Sequence, residues 1–295
     1  MPSGSLLAQA IALGVLTGGF YALLASGLTL YFGVMRVVQI AHPAFLVLAA
    51  YLTYWAYTLW GIDPILSMIG TVPLFFILGV GVQRFLLSRL RVENRAMMSV
   101  LLTFAMAITI EGAIGVLWTG SYRSVNVEYA TQSVRIFGLS LPIDRLIGFA
   151  IAVIALTALL LILKYSRWGQ AIRATVQHRD AARLVGIDVE RVSALGFGLG
   201  LATAAVGGAV LALIATFFPA AHYGYIARLM AIIVIGGLGS VPGAAIAALV
   251  MGLLEALVLV TFDPVWAAMV FYIFLFGVLI FRPQGLFGGR LLERF

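Results

Sequence analysis

The sequence predicts an all-α integral membrane protein, a single transmembrane domain over residues 1–295 built as a polytopic bundle of about 8–9 transmembrane helices with two broken or re-entrant segments. Three observations carry that expectation. The composition is too apolar for a chain wetted on all sides. Basic residues gather in clusters at the ends of apolar runs, and glycine and proline interrupt two of those runs.

Hydrophobic residues fill 63 % of the 295 positions and charged residues 10 %, with a mean hydropathy of +1.12. Soluble domains carry roughly a quarter charged residues, so this chain lacks the polar surface to face water all round. The absence of cysteine removes disulfides, thiolate metal ligands and thiol nucleophiles from consideration. A formal charge of +7 would point to nucleic acid in a soluble protein. In so apolar a chain it reflects basic span ends retained in the cytoplasm, and no nucleic-acid partner is expected. Residues 1–4 have no basic stretch, so Leu6 onward reads as a retained span and not as a cleaved signal.

A span needs about 20 apolar residues to cross ~30 Å of hydrocarbon. Leu6–Gly33, Ala44–Trp60, Ile65–Val82, Ala96–Trp118, Leu146–Leu163, Ser193–Phe218 and Val265–Phe281 fit that length, and Leu229–Val260 is one further stretch broken in its middle. The basic clusters are Arg84, Arg89, Arg91 and Arg95; Lys164, Arg167, Arg173, Arg179, Arg183 and Arg191; and Arg282, Arg290 and Arg294. Placing all three in the cytoplasm satisfies span parity and makes residues 119–145 an external loop and 164–192 a cytoplasmic one. Alternation in Val125–Leu141 around Phe137-Gly138 predicts a short external hairpin. Parity also requires Leu229–Val260 to start and finish outside, as two spans or a re-entrant hairpin.

The first break is Phe32–Pro43. It places Arg36, Gln39 and His42 together, with Pro43 suited to starting a new helix. Were it helical, Arg36, Gln39 and Pro43 would share a face; alternatively Arg36 only anchors a span end. The second break, 235–243, holds Gly236, Gly237, Gly239, Ser240, Pro242 and Gly243. So much glycine and proline is tolerated at membrane depth only where protein or a water-filled cavity surrounds it. It reads as a half-helix junction on a solute route or as a tight cytoplasmic turn. Paired interruptions of this kind point to a transporter's binding region. Tyr21, Thr29, Tyr31 and Thr103 are polar side chains available to such a cavity. Glu111 and Glu255 lie within apolar runs, where a carboxylate faces a pathway, a partner or an arginine. Arg228 stands at the outer start of the broken stretch, placed to meet an anionic or carboxylate-bearing solute.

In the cytoplasmic loop, Asp180 can cap or begin a short helix that Gly186 ends. That helix would expose Ala181, Ala182 and Val185 among arginines. A small-faced helix without a core of its own reads as a docking element for another protein, or else as a solvated connector.

Taken together, Gly18–Leu30, Phe32–Val38 with Ala41-His42, Asp180–Ile187, Gly236–Ala244 and Arg282–Gly288 resemble, in this order, the LivH-type permeases of high-affinity branched-chain amino acid ABC transporters. The resemblance spans essentially the whole chain. It implies a multi-pass permease of the bacterial inner membrane, embedded in lipid. A second related permease subunit, two cytoplasmic ATPase subunits and a periplasmic solute-binding protein would complete the importer. Tyr21, Thr29, Met35, Arg36, Gln39, His42, Gly236, Gly237, Gly239 and Ser240 would border the substrate pathway. Arg173, Asp180, Ala181, Ala182, Leu184, Gly186 and Ile187 would couple to the ATPases. The chain has no phosphate-binding GxxxxGK[ST] loop, so it is expected to be no enzyme and to hold no cofactor, with ATP and Mg bound by the partners. Gln39-Ile40-Ala41-His42-Pro43 departs from the family's usual Asn-Phe-Ala-His-Gly. That leaves the solute open between branched-chain and other amino acids, urea, short amides and aromatic acids. The competing reading is a stand-alone secondary transporter or channel using Glu111 and Glu255. An intramembrane enzyme is disfavoured because the three histidines are isolated.

Overall fold

A computed structural model describes residues 4–35, 37–90, 95–136 and 138–287. Among these residues eleven α-helices and one two-stranded sheet follow one another. They are α1 (Gly4–Met35), α2 (His42–Trp60), α3 (Pro64–Phe85), α4 (Arg95–Trp118), β1 (Ser133–Ile136), β2 (Leu139–Pro142) and α5 (Ile143–Tyr165). Then come α6 (Arg167–Gln177), α7 (Arg179–Leu184), α8 (Val189–Ile214), α9 (His222–Gly236), α10 (Val241–Thr261) and α11 (Pro264–Phe281). Eight helices among the described residues, α1, α3–α5 and α8–α11, are long and apolar enough to cross a membrane. The long helix α2 is diluted by its polar start and its aromatic residues. The protein is an all-α, multi-pass membrane protein of the expected span number.

Proline and short polar side chains mark the helix starts. Pro43, Pro64, Pro242 and Pro264 lie in the first turns of α2, α3, α10 and α11, where a missing N–H costs nothing. Asp63, Ser166, Asp188 and Ser240 cap α3, α6, α8 and α10, their oxygens accepting from Ile65, Gly169, Arg191 and Gly243 amides at 2.8–3.1 Å.

Helices α1, α2 and α8 form the buried centre, while α3, α4, α5 and α11 expose rows of large apolar side chains such as Ile69, Ile77, Met97, Leu101, Ile154 and Phe276. That outer belt suits lipid. Small residues bring the central helices together, as packing without a hydrophobic drive between helices requires. A Cβ on Gly18 would lie 2.8 Å from Leu249 Cα of α10, and one on Gly79 of α3 2.8 Å from Gly198 Cα of α8.

One end of the bundle carries the sheet. Gln9 and Ser140 bond to each other there, Arg123 and Phe217 exchange backbone bonds of 2.8 and 2.9 Å, and Tyr129 donates to Asp63 at 2.9 Å. Burial, then the Asp63 carboxylate, push the Tyr129 phenol well above its ordinary value. The opposite end carries α6 and α7.

Several expectations need correction. The stretch Ser193–Phe218 is helical from Val189 only to Ile214, because Asp188 caps it early and Phe217 leaves to pair with Arg123. The broken stretch begins at His222, not Leu229. The hairpin spans 133–142 alone, since Val125 and Val127 are buried against the bundle. Residues 37–39 are not helical, so Gln39 and Pro43 share no helix face; Arg36 lies outside the described residues.

Candidate functional site

The first break begins where α1 stops at Met35, a buried residue, and ends where Pro43 helps start α2. Between them the chain leans on α4: Thr103 Oγ1 accepts from the Ile40 amide at 3.3 Å and lies 3.2 Å from the Val38 carbonyl. His42 is fully buried, its Nδ1 3.1 Å from Tyr31 Oη. Glycine makes room for this pair. A Cβ on Gly200 would lie 2.6 Å from Tyr31 Cζ, and one on Gly27 3.2 Å from His42 Cε1. Gln39 is 1 % exposed, yet among the described residues neither its amide nitrogen nor its amide oxygen has a partner, and His42 Nε2 has none either. Unsatisfied buried groups cost about 1–3 kcal/mol each, so this segment sits under polar strain that the packed core must offset. Thr29 takes no part, for its hydroxyl donates back to the Ala25 carbonyl at 2.7 Å.

The second break is a turn. Gly237 and Gly239 take φ of +96° and +88°, a region closed to most side chains, and Ser240 caps α10. A Cβ on Gly236 would lie 2.6 Å from the Gly243 carbonyl carbon, which only glycine avoids. The chain after α11 braces the turn, with Leu286 N donating to Ile235 O at 2.8 Å.

The two breaks meet. A Cβ on Gly33, just ahead of the first break, would be 3.4 Å from Gly239 Cα in the second and 3.7 Å from Val176 of α6. Beside this contact lies a cavity of about 320 Å³ between Gly33, Val34 and the chain from Thr175 to Asp180. The far end of α1, the Gly239 turn and the α6–α7 elbow therefore form one junction.

Helix α6 folds back on α5, burying Gly169, Ile172 and Thr175 and spending an Arg173 donor on the Leu163 carbonyl. His178, not Asp180, caps α7, its Nδ1 accepting from the Ala181 amide at 3.1 Å. Asp180 instead pairs with Arg183 at 3.5 Å. Gly186, at φ +83°, ends the helix, and Ile187 N returns to Ala182 O. The expected exposed face is corrected in one position: Ala182 is 3 % exposed and faces inward, whereas Leu184 at 89 % and Val185 at 76 % stand out. Sequence reading also missed α6; the Ser166 cap followed by Gly169, Ile172 and Thr175 at helical spacing was its signal.

A second polar centre lies apart from the breaks. Tyr21 of α1 donates to Glu255 Oε2 of α10 at 2.9 Å, and Arg228 of α9 pairs with Glu255 Oε1 at 3.2 Å. Tyr21 therefore joins neither break. Glu111 of α4 lies 3.8 Å from His222 Nε2 at the start of α9. Both intramembrane carboxylates thus have protein partners on α9.

Comparison with known proteins places this arrangement. The family described as "Branched-chain amino acid transport system / permease component" matches residues 10–281. The high-affinity branched-chain amino acid transport system permease protein LivH of Salmonella typhimurium is 28 % identical, over 95 % of each chain. BraD of Pseudomonas aeruginosa, named as a permease of the same kind of system, is 27 % identical over 97 % of each. A probable LivH of Methanocaldococcus jannaschii is 26 % identical over 93 % of this chain and 90 % of its own. No solved structure matches. With a buried helical centre, two interrupted helices meeting at one junction, and a family match over nearly its whole length, the chain belongs to the permease components of branched-chain amino acid ABC transport systems.

Proposed function

We propose that this chain is one wall of an ATP-driven importer of branched-chain amino acids, or a closely related small polar solute, in the bacterial inner membrane. The basic ends of its spans set the orientation, with α6 and α7 in the cytoplasm and the sheet outside. A second permease subunit faces it across the route, and a periplasmic binding protein delivers the solute. Two cytoplasmic ATPases bind ATP and Mg and hydrolyse the nucleotide. The substrate rests on the relatives, which are permeases of branched-chain amino acid transport systems.

The observation that carries the coupling role is the junction: Leu184 and Val185 project outward from an elbow whose inner side touches both the Gly33 end of α1 and, through it, the Gly239 turn. An ATPase cleft closing on Leu184 and Val185 moves that elbow. The movement parts Gly33 from Gly239. Leu184→Glu puts a charge on the exposed knob without disturbing a packed residue. The expected result is a permease that still inserts but no longer captures its ATPases on co-purification; normal capture and normal leucine uptake would remove the docking assignment.

A further inference from the structure

We propose that Arg228 recognises the carboxylate of a net-neutral solute on the transport route, with Glu255 and Tyr21 as positioning residues that hold its guanidinium ready. The inference rests on the branched-chain reading above. Charged side chains inside a span are costly and face the bundle interior or a route rather than lipid. Here the carboxylate is fully engaged, one oxygen by Tyr21 at 2.9 Å and the other by Arg228 at 3.2 Å, and Glu255 is only 7 % exposed. The guanidinium is not. It has five N–H donors, of which Nη2 meets Glu255 and Nε is buried with no partner among the described residues, leaving the Nη1 side as the accessible edge. Its body rests over Phe271, the carbon 5.8 Å from the ring centre, and the side chain is 30 % exposed. Arginine is therefore clamped on one edge and open on another.

Helix α9 does not carry the apolar belt of the outer helices. Among the described residues of α9 the one exposed large apolar side chain is Tyr223, whereas α11 beside it exposes Met269, Ile273, Phe276 and Ile280. Exposed Gly224 borders Arg228, a Cβ there standing 3.6 Å from Nη1, so the approach on that side is floored by glycine, with the exposed Tyr272 of α11 nearby. A planar fork with free donors matches a carboxylate. The Arg228–Glu255 pair sums to zero, so a bare anion would leave one charge uncompensated at membrane depth. An α-amino acid brings its own ammonium and leaves none.

The test uses the complete importer in proteoliposomes, reading leucine delivered per ATP hydrolysed. Arg228→Lys keeps a cation within reach of Glu255 but loses the planar Nη fork, so a purely structural lock survives it. The expected result is a fall in leucine per ATP of about tenfold or more, the scale of a charge-assisted bond. ATPase capture and ATP hydrolysis by the Arg228→Lys importer should stay at the wild-type level, which a loss of folding would not leave. The paired variant Arg228→Gln with Glu255→Gln, neutral and still hydrogen-bonding, should show the same loss if Arg228→Lys does not assemble. An unchanged leucine ratio, including the case in which delivery and hydrolysis fall together, overturns the role of Arg228. If the wild type itself delivers no leucine, the branched-chain reading fails first and this inference with it.

Discussion

Gly18→Val tests whether α1 and α10 touch backbone to backbone. The added Cβ would sit 2.8 Å from Leu249 Cα, against an ordinary carbon–carbon contact of about 3.5 Å, so the helices must part by roughly 0.7 Å. Overpacking of this kind costs about 1–3 kcal/mol, and here the obstruction is main chain, which cannot rotate aside. The same separation acts one turn along, where Tyr21 on α1 meets Glu255 on α10. Stretched by about 0.7 Å, that 2.9 Å bond leaves hydrogen-bond range. Thermal unfolding of the purified permease should show a melting temperature lower by roughly 5 °C. Tyr21→Phe, costly in the wild type, should then add almost nothing in the Gly18→Val background. Gly112→Val is the control, since nothing lies within 4 Å of its Cβ position. Equal effects of the two valines, or an undiminished cost of Tyr21→Phe, would refute the reasoning.

Other outcomes follow from the same geometry. Glu255→Ala leaves the partly exposed Arg228 without its carboxylate and should cost about 1–3 kcal/mol, seen as a lower melting temperature of the purified permease. Gln39→Leu replaces an amide without partners and should raise the melting temperature while lowering uptake; a variant that is both less stable and fully active would contradict its placement. Tyr129 has a folded value raised above the unfolded one, so its contribution is complete below about pH 10 and is lost only as pH climbs through the folded value. In alkaline absorbance titration the folded wild type and Tyr129→Phe should therefore coincide up to roughly pH 11.

Elements set by local chemistry were legible in the sequence. Pro43, Pro64, Pro242 and Pro264 start helices where their fixed φ suits them, and Gly236–Ser240 turns because only glycine tolerates φ of +96° and +88°. Partners across the bundle were not. Glu255 lies 234 positions from Tyr21, and α1 is apolar on every side, so no stripe in its sequence tells the α10-facing Gly18 from a lipid-facing residue. Membrane helices bury apolar against apolar, which erases the periodic signal that marks a soluble core. The α7 face was misread at Ala182 for a related reason: six residues are too few to fix a face, and capping by His178 instead of Asp180 rotates the helix start. The meeting of Gly33 with Gly239, which ties the two breaks to the elbow, is a contact of tertiary structure alone.

That contact is also where the account is most exposed. The chain has no native cysteine, so Gly33→Cys with Gly239→Cys places a single disulfide across the two breaks, with Gly239→Cys alone as the control that separates the lock from the strain of a side chain at φ +88°. Measured as leucine uptake by the reconstituted importer, oxidation should stop transport and reduction should restore it, with the ATPases bound throughout. Full uptake with the disulfide quantitatively formed would mean that the junction does not open during transport.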